Sequence, residues 1–273
     1  MLLREVEYAR PHTVDEAVRL LSSYEDSRPL AGGQSLINVM KTRVAAPEVV
    51  VDLNAIPELR EISVGADGSL ELGAMVTYDQ LILSEEARAA RPILGEVVLT
   101  IADVQVRNRG TVGGNICIND PTNHLPPLFA AVGATMTIRA LEGERRVTAE
   151  EFFQGVYVTA VQPGELLTKV TVPARRAGEG DGWAATTLGK DGTGIVNVAA
   201  SVRDGTARIA VGCVAAVPVL VSAAADEVAA RDAVRSAGLD PPSDVHASAE
   251  YRRHLAEVLA GRAVAQAIEQ AGA

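Results

Sequence analysis

The chain has 273 residues, of which 48% are hydrophobic and 3% aromatic, a composition typical of a soluble globular protein. This length is sufficient for one large domain, or two modest ones, with a real hydrophobic core. The 35 acidic and 25 basic residues give a formal net charge of −10, which disfavours binding to nucleic acid or anionic lipid. Because the N-terminus lacks a signal-peptide pattern and no apolar stretch is long enough to cross a bilayer, we expect a cytoplasmic protein without a membrane span.

The N-terminal segment has the pattern of a β-α-β unit. Thr13 and Glu16 form a capping box before a helical stripe, and the apolar run 49–53 is typical of a buried strand. Between them, residues 31–35 read A-G-G-Q-S, follow an extended segment and precede a short helix. Glycine lets the backbone form a concave nest of N–H groups, and a helix N-terminus favours an anion. This loop is therefore predicted to bind phosphate.

A second glycine pair lies in the sequence T-V-G-G-N at 111–115. Two such pairs in one chain indicate a diphosphate held from both sides, and hence a dinucleotide. The alternative is that each pair only closes a turn or caps a helix. The surrounding patterns predict hairpins at 60–75 and 135–147, a helical stripe at 93–104 and a strand at 116–118.

A charged, glycine-rich segment at 177–182 is interpreted as a linker, and the pattern changes after it. Three apolar runs, joined in part by the hairpin signal Asp204-Gly205, predict a three-stranded antiparallel sheet. Two helices are expected at 223–236 and 248–270. This part of the chain therefore has the pattern of a small α+β domain.

The motifs of other site classes are absent from the sequence. No G-x-G-x-x-G opens a helix after a strand, and no P-loop pattern is complete. Cys117 and Cys213 are too far apart to suggest a cluster, and no histidine has metal-ligand spacing. We therefore expect no metal site, and no Ser-His-Asp or Cys-His catalytic set is evident. Near the second glycine pair, Arg107 and Arg109 are candidates either for a phosphate contact or for surface ion pairs, and His124 is a candidate for ligand contact.

Two motifs carry a resemblance to a known family: A-G-G-Q-S-L at 31–36 and Q-V-R-N-R-G-T-V-G-G-N at 105–115. Further matches are P-H-T-V-D-E-A at 11–17, P-E-V-V-V-D-L at 47–53, Asp120-Pro121 and Glu165-Leu166-Leu167. With these motifs the chain resembles the medium, FAD-binding subunit of the molybdenum hydroxylases, which include the carbon monoxide dehydrogenase and xanthine dehydrogenase families. The resemblance covers residues 1–173 and continues more loosely to the end.

The resemblance implies an α+β fold in two domains. Residues 1–175 would form a two-part FAD-binding domain of the vanillyl-alcohol-oxidase (PCMH) type, with subdomains at about 1–57 and 58–175. Residues 176–273 would form a C-terminal domain of the carbon monoxide dehydrogenase flavoprotein type. The break agrees with the linker found in the sequence.

The resemblance also implies a set of FAD-binding residues, in which both glycine loops hold the diphosphate. The carried-over positions are Leu30, Ala31, Gly32, Gly33, Gln34, Ser35, Leu36, Ile101, Thr111, Val112, Gly113, Gly114, Asn115, Asp120, His124, Leu167 and Lys190. The chain departs from the family pattern at His124, where the family usually has an acidic residue, and around Lys190, where the alignment is loose.

The function implied by the resemblance is electron transfer within a larger hydroxylase. FAD on this subunit would receive electrons from [2Fe-2S] clusters on a small subunit and pass them to an external acceptor, while a large molybdopterin-binding subunit oxidises the substrate. Two alternatives remain open: a stand-alone FAD-dependent oxidase or dehydrogenase, and a dinucleotide-binding module without a redox role.

Overall fold

The N-terminal part of the chain forms a small parallel sheet in the structure, a computed structural model that describes residues 3–189 and 192–272. Its elements are β1 (Glu7–Ala9), α1 (Val14–Ser23), β2 (Ser27–Leu30), α2 (Leu36–Lys41) and β3 (Val49–Asp52). The strand order is β1-β3-β2, and both pairings are parallel. The carboxyl ends of all three strands therefore lie along one edge of the sheet, where open parallel sheets bind ligands.

Local sequence explains this unit. Thr13 caps α1 by accepting a hydrogen bond from the Glu16 N–H. The predicted capping box is only half formed, because the Glu16 carboxylate accepts from the His12 N–H and not from that of Thr13. The apolar stripe of α1 then packs Ala17, Val18 and Leu21 against the fully buried strand β3. Two short 3₁₀ turns, Leu53–Ala55 and Pro57–Arg60, lead out of the unit.

The middle part of the chain forms a five-stranded antiparallel sheet with helices packed on it. The sheet order is β4-β5-β10-β6-β7, and a separate small hairpin pairs β8 with β9. The elements in chain order are β4 (Ile62–Val64), β5 (Leu70–Gly73), α3 (Tyr78–Leu83), α4 (Glu85–Ala90), α5 (Ile93–Leu99), α6 (Val104–Arg107), α7 (Val112–Ile118), α8 (Leu125–Ala131), β6 (Thr135–Ala140), β7 (Gly143–Thr148), α9 (Ala149–Phe152), β8 (Phe153–Gly155), β9 (Val158–Thr159) and β10 (Leu166–Val172).

The C-terminal part forms a four-stranded antiparallel sheet covered by two helices. The strand order is β11-β12-β13-β14, and the long helix α11 packs on β11 and β12. The elements are β11 (Gly180–Leu188), β12 (Thr193–Arg203), β13 (Thr206–Gly212), β14 (Val219–Ala224), α10 (Glu227–Ser236) and α11 (Ala249–Ala271). No helix in the described part of the chain is both long enough and apolar enough to span a membrane.

The structure confirms a mixed α/β architecture and corrects two details of the prediction. The C-terminal sheet has four strands, not three, because Val219–Ala224 pairs with β13 before the helix begins at Glu227. Residues 116–118, expected as a strand, belong to helix α7, because Thr111 caps a helix at this point. The hairpins expected at 60–75, 135–147 and Asp204-Gly205 are all present.

Candidate functional site

The first glycine loop, between β2 and α2, offers a run of free N–H groups at the carboxyl edge of the parallel sheet. No acceptor among the described residues takes a hydrogen bond from the N–H groups of Gly32, Gly33, Gln34 or Ser35. Gly33 has φ +74°, a conformation that side chains other than glycine rarely adopt. Successive unpaired N–H groups around such a glycine suit an anion.

The second glycine loop has a different local structure. Thr111 caps α7, and the Gly114 N–H donates to Thr111 Oγ1 at 3.0 Å. The N–H groups of Val112 and Gly113 donate to the carbonyl oxygens of Val76 and Ala74, both at 2.9 Å. An open nest of N–H groups at this loop was therefore a wrong expectation, because protein acceptors already use the donors. Gly113 instead permits close approach, since a Cβ there would lie 2.5 Å from the Ala74 carbonyl oxygen.

The two glycine loops are in contact, although they are far apart in the sequence. A Cβ placed on Gly32 would lie 1.9 Å from the Arg109 carbonyl oxygen, so only glycine allows this approach of backbone to backbone. On the other side, a Cβ on Gly114 would lie 3.6 Å from the Ala31 Cβ. The fold thus places the free donors of the first loop directly beside the second loop.

A buried polar network extends from the second loop. Asn115 is 8% exposed, and its side-chain amide donates to the Tyr78 hydroxyl at 2.9 Å. Burial raises the pKa of Tyr78 to about 12, so this phenol stays protonated. The main-chain oxygen of Asn115 accepts from the Asn123 side chain at 3.0 Å, which ties the loop to the turn that precedes α8.

His124 continues this network at the junction with the C-terminal sheet. It is 2% exposed, and its ring centroid lies 5.2 Å from that of Trp183 on β11. Asn197 on β12 donates its amide N–H to the Asn123 carbonyl at 3.2 Å and lies 3.1 Å from His124 Nδ1. Burial lowers the pKa of His124 to about 4, so the ring is neutral near pH 7.

Comparison with known proteins identifies the family. Residues 4–175 match the family described as the FAD binding domain in molybdopterin dehydrogenase. The chain belongs to this family. It is 39% identical to the carbon monoxide dehydrogenase medium chain of Afipia carboxidovorans, over 98% of each chain. It is also 34% identical to the nicotine 6-hydroxylase medium subunit of Paenarthrobacter nicotinovorans, over 98% of this chain and 99% of the relative.

Solved structures agree with the sequence comparison. A Cu,Mo-CO dehydrogenase chain superposes with a TM-score of 0.93 at 38% identity, over 99% of this chain and 100% of the other. A chain of quinoline 2-oxidoreductase from Pseudomonas putida 86 gives a TM-score of 0.90 at 33% identity, over 99% of both. The resemblance to the FAD-binding medium subunits of molybdenum hydroxylases is therefore confirmed, and with it the flavoprotein fold, FAD as the cofactor and oxidoreductase as the enzyme class.

The residues at the site fit such a cofactor. The four free N–H groups of the first loop suit a diphosphate, as described above. In the described part of the chain, four buried side-chain N or O atoms lack a hydrogen-bond partner, and three of them belong to the network beside the second loop. These three are Asn115 Oδ1, His124 Nε2 and Asn197 Oδ1. Because buried polar atoms are normally satisfied, this concentration is expected where a bound group or ordered water completes the site.

Other residues carried over from the family lie in different environments. Leu30 and Leu36 are half-buried at the two ends of the first loop. Asp120, after α7, accepts a hydrogen bond from the Tyr157 hydroxyl at 3.0 Å. Leu167 on β10 is 2% exposed and lies in the hydrophobic core of the middle part. Lys190 lies outside the described residues.

Three further candidates, Ile101, Arg107 and Arg109, make or receive main-chain contacts. Ile101 is half-buried just after α5, and its carbonyl accepts from Arg107 Nη1 at 3.2 Å. The same Arg107 nitrogen donates to the Ala102 carbonyl at 2.7 Å, so this side chain stabilises a turn. Arg109 contributes its backbone, which lies against Gly32.

Sequence reasoning missed several polar residues at the site. They are Asn54, Tyr78, Asn123 and Asn197, which have no motif of their own. The first three contact the loops only through the tertiary fold, and Asn197 contacts Asn123. Asn54 alone had a usable signal. It follows the apolar run of β3, and polar residues just after the strands of a parallel sheet gather at its ligand-binding edge.

Proposed function

We propose that this chain is the electron-transfer flavoprotein subunit of a molybdenum-containing hydroxylase. It would accept electrons from [2Fe-2S] clusters of a small partner subunit and pass them to an external acceptor, while a large molybdopterin-binding subunit oxidises the substrate. Three relatives that it matches over nearly its whole length carry names of single chains or subunits of larger enzymes. FAD supplies the redox chemistry when bound, and the protein binds, orients and tunes it.

The cysteine content supports the assignment of the clusters to another subunit. Iron–sulfur clusters are held by sets of cysteine thiolates, and this chain has two cysteines only. Burial raises the pKa of both Cys117 and Cys213 to about 12, so both remain thiols. Two free thiols, one buried and one half-buried, also suit the reducing cytoplasm in which we place the protein.

The observation that carries the proposal is the contact between the two glycine loops, with free donors on one of them. We propose that the N–H groups of 32–35 bind the diphosphate and that the second loop closes the opposite side. The unpartnered atoms of Asn115 and His124 then face the cofactor as polar contacts. Ile101, Asp120, Leu167 and Lys190 stay in the proposed site on the family resemblance.

Domain boundaries are proposed on the basis of the hydrophobic cores. Strands β12, β13 and β14 and helices α10 and α11 share a core that is separate from that of the middle part. The family match ends at residue 175. We therefore propose an FAD-binding domain at 1–175, with a first subdomain at about 1–57, and a C-terminal domain at 176–273.

The first test is to express the full chain alone, purify it and record its visible spectrum, then release and identify the cofactor. We expect a yellow protein that contains FAD without a covalent bond. A folded, colourless protein that also refuses added FAD would overturn the proposal and favour a dinucleotide-binding module without a redox role. Turnover of a small substrate by the isolated chain would favour a stand-alone flavoenzyme.

Two glycine-to-alanine variants test whether contact between the two loops is needed to bind FAD. Gly32→Ala places a Cβ 1.9 Å from the Arg109 carbonyl oxygen, so the loops must separate, and we expect FAD affinity to fall at least about tenfold. Gly95→Ala is the matched control, because a Cβ on Gly95 meets nothing within 4 Å. FAD titration by flavin fluorescence measures both. A folded Gly32→Ala protein that binds FAD as tightly as the control would show that the loop contact does not form the site.

A further inference from the structure

A polar cluster lies at the carboxyl edge of the parallel sheet, directly behind the first glycine loop. It connects all three strands, because Tyr8 comes from β1, Asp52 ends β3, and Ala31 follows β2. The Tyr8 hydroxyl donates a short hydrogen bond to the Asp52 carboxylate. The centre of the cluster is Asn54, in the 3₁₀ turn after β3.

Every polar atom of the Asn54 side chain has a protein partner. Its Nδ2 donates to Asp52 Oδ1 at 2.6 Å and to the Ala31 carbonyl oxygen at 3.1 Å. Its Oδ1 accepts from Arg60 Nη2 at 2.7 Å. Because one end of the amide must accept from Arg60 and the other must donate to Asp52, the side chain has a single orientation. The Ala31 carbonyl is thereby held on the side of Asn54.

This contact determines the direction of the next N–H group. A trans peptide is planar, so its C=O and N–H bonds point in opposite directions. With the Ala31 carbonyl bonded to Asn54, the Gly32 N–H points away from the cluster. Gly32 is the first of the four residues with free N–H groups, and it is also the glycine that touches Arg109. Asn54 thus fixes the point at which the donor run begins.

We propose that Asn54 is a positioning residue, which holds the first glycine loop with its N–H groups facing the cofactor diphosphate and does not itself contact the cofactor. The proposal rests on the proposed function of this loop. Asp52 and Arg60 hold the Asn54 amide in place. Asp52 is itself held as the last residue of β3 and by the hydrogen bond from Tyr8 of β1. The loop is therefore ordered before the cofactor arrives, which lowers the entropic cost of binding.

Asn54→Ala and Asn54→Leu test the proposal in the full chain. Alanine removes the side-chain amide, and leucine fills the same space without a donor. We expect the Kd for FAD to rise about tenfold or more in both, the size of effect expected when one hydrogen bond no longer orders the loop. In the FAD-free protein, the backbone amide NMR signals of 31–35 should shift, while the melting temperature stays close to that of the wild type.

Gln154→Ala is the matched control, because Gln154 also donates a side-chain amide to a main-chain carbonyl, that of Glu151, but in the β8 segment. We expect this variant to bind FAD like the wild type. If wild type and both Asn54 variants bind FAD equally, Asn54 does not position the loop, and the proposed function stands. A lowered melting temperature with an unchanged Kd would assign Asn54 a structural role only. If the wild type itself binds no FAD, both proposals fail together.

Discussion

At the scale of single residues, His124 shows how burial selects a protonation state. Its Nδ1 lies 3.1 Å from Asn197 Nδ2, its ring packs against Trp183, and it is 2% exposed. Transfer of a charged imidazolium into this environment is unfavourable, which is why the pKa falls from 6.5 to about 4. A neutral imidazole has one N–H donor and one acceptor nitrogen, whereas the acidic residue expected here from the family resemblance is, when ionised, an acceptor only.

The shifted pKa of His124 predicts a loss of stability in mild acid. Above pH 6.5 the histidine is neutral in both folded and unfolded chains, so its contribution is fully present. As the pH falls from 6.5 toward 4, His124 is protonated in the unfolded chain but stays neutral in the folded chain, so the folded state loses stability. The loss is complete below about pH 4 and amounts to roughly 3 kcal/mol as an upper estimate.

Urea unfolding of the wild type and of His124→Gln at pH 7 and pH 4.5 measures this effect. Because glutamine does not titrate, the free energy of unfolding of the variant should fall less over this interval than that of the wild type. Subtracting the pH-dependent change in the free energy of unfolding of the variant from that of the wild type removes the contribution of the other titrating groups. Parallel pH profiles would contradict a buried neutral His124.

At the scale of elements, the sequence predicts those whose ends are determined by local hydrogen bonds. Thr13, Thr77 and Thr148 each cap the helix that follows, and each stands three residues before a Glu or Gln, a short-range pattern that is visible in the sequence. The hairpin at Asp204-Gly205 is likewise local. Because these elements depend on residues that are close together in the sequence, they can be predicted without knowledge of the tertiary fold.

The elements that sequence reasoning missed depend on distant partners. Residues 116–118 have a β-branched, apolar pattern, but they lie in α7, whose first residues are bonded to Ala74 and Val76 of a different segment. Strand β14 is half-exposed and merges in sequence with an alanine-rich helix, and only pairing with β13 defines it. The contact of Gly32 with Arg109 is also tertiary. The motifs therefore predicted the two loops that we propose as the site, but neither their contact nor the different hydrogen bonding of their N–H groups.

The packing of α11 on β11 predicts a sensitive position in the C-terminal domain. A Cβ on Gly182 would lie 1.9 Å from the Ala263 carbonyl oxygen of the helix. Gly182→Ala must therefore push the helix away from the sheet, and we expect a loss of about 1–3 kcal/mol or more in the free energy of unfolding. Gly155→Ala is the control, because its nearest contact would be an ordinary 3.6 Å from Val158. Urea unfolding measures both, and equal stabilities would contradict this close packing.

At the scale of the whole molecule, a buried ionic cluster joins the FAD-binding part to the C-terminal sheet. Arg91, between α4 and α5, is 1% exposed. Its Nε and Nη2 bind both oxygens of Asp181 on β11 at 2.8 Å, and Nη2 also reaches Glu179 Oε1 at 2.6 Å. The same nitrogen donates to Ser201 on β12 at 3.2 Å. Burial alone would lower the pKa of Arg91, but the two carboxylates outweigh it and raise the pKa.

Loss of the arginine should destabilise the protein mainly because it would leave two buried carboxylates without a positive partner. Arg91→Met keeps most of the side-chain volume but leaves Asp181 and Glu179 buried without a cation. Removal of one partner of a buried ion pair typically costs 3–5 kcal/mol, because the remaining charge is uncompensated. We therefore expect Arg91→Met to lower the free energy of unfolding by about that amount, as measured by urea denaturation at pH 7.

Arg235→Met is the matched control, since Arg235 also pairs with two carboxylates, those of Asp232 and Glu257, but with 56% of its side chain exposed. Solvent screening makes such pairs weak, so the control should lose much less stability than Arg91→Met. If the two variants lose similar amounts, the junction is hydrated in solution and the Arg91 cluster is not a buried connection. If only Arg91→Met is strongly destabilised, the two parts of the molecule are joined by a cluster that depends on one arginine.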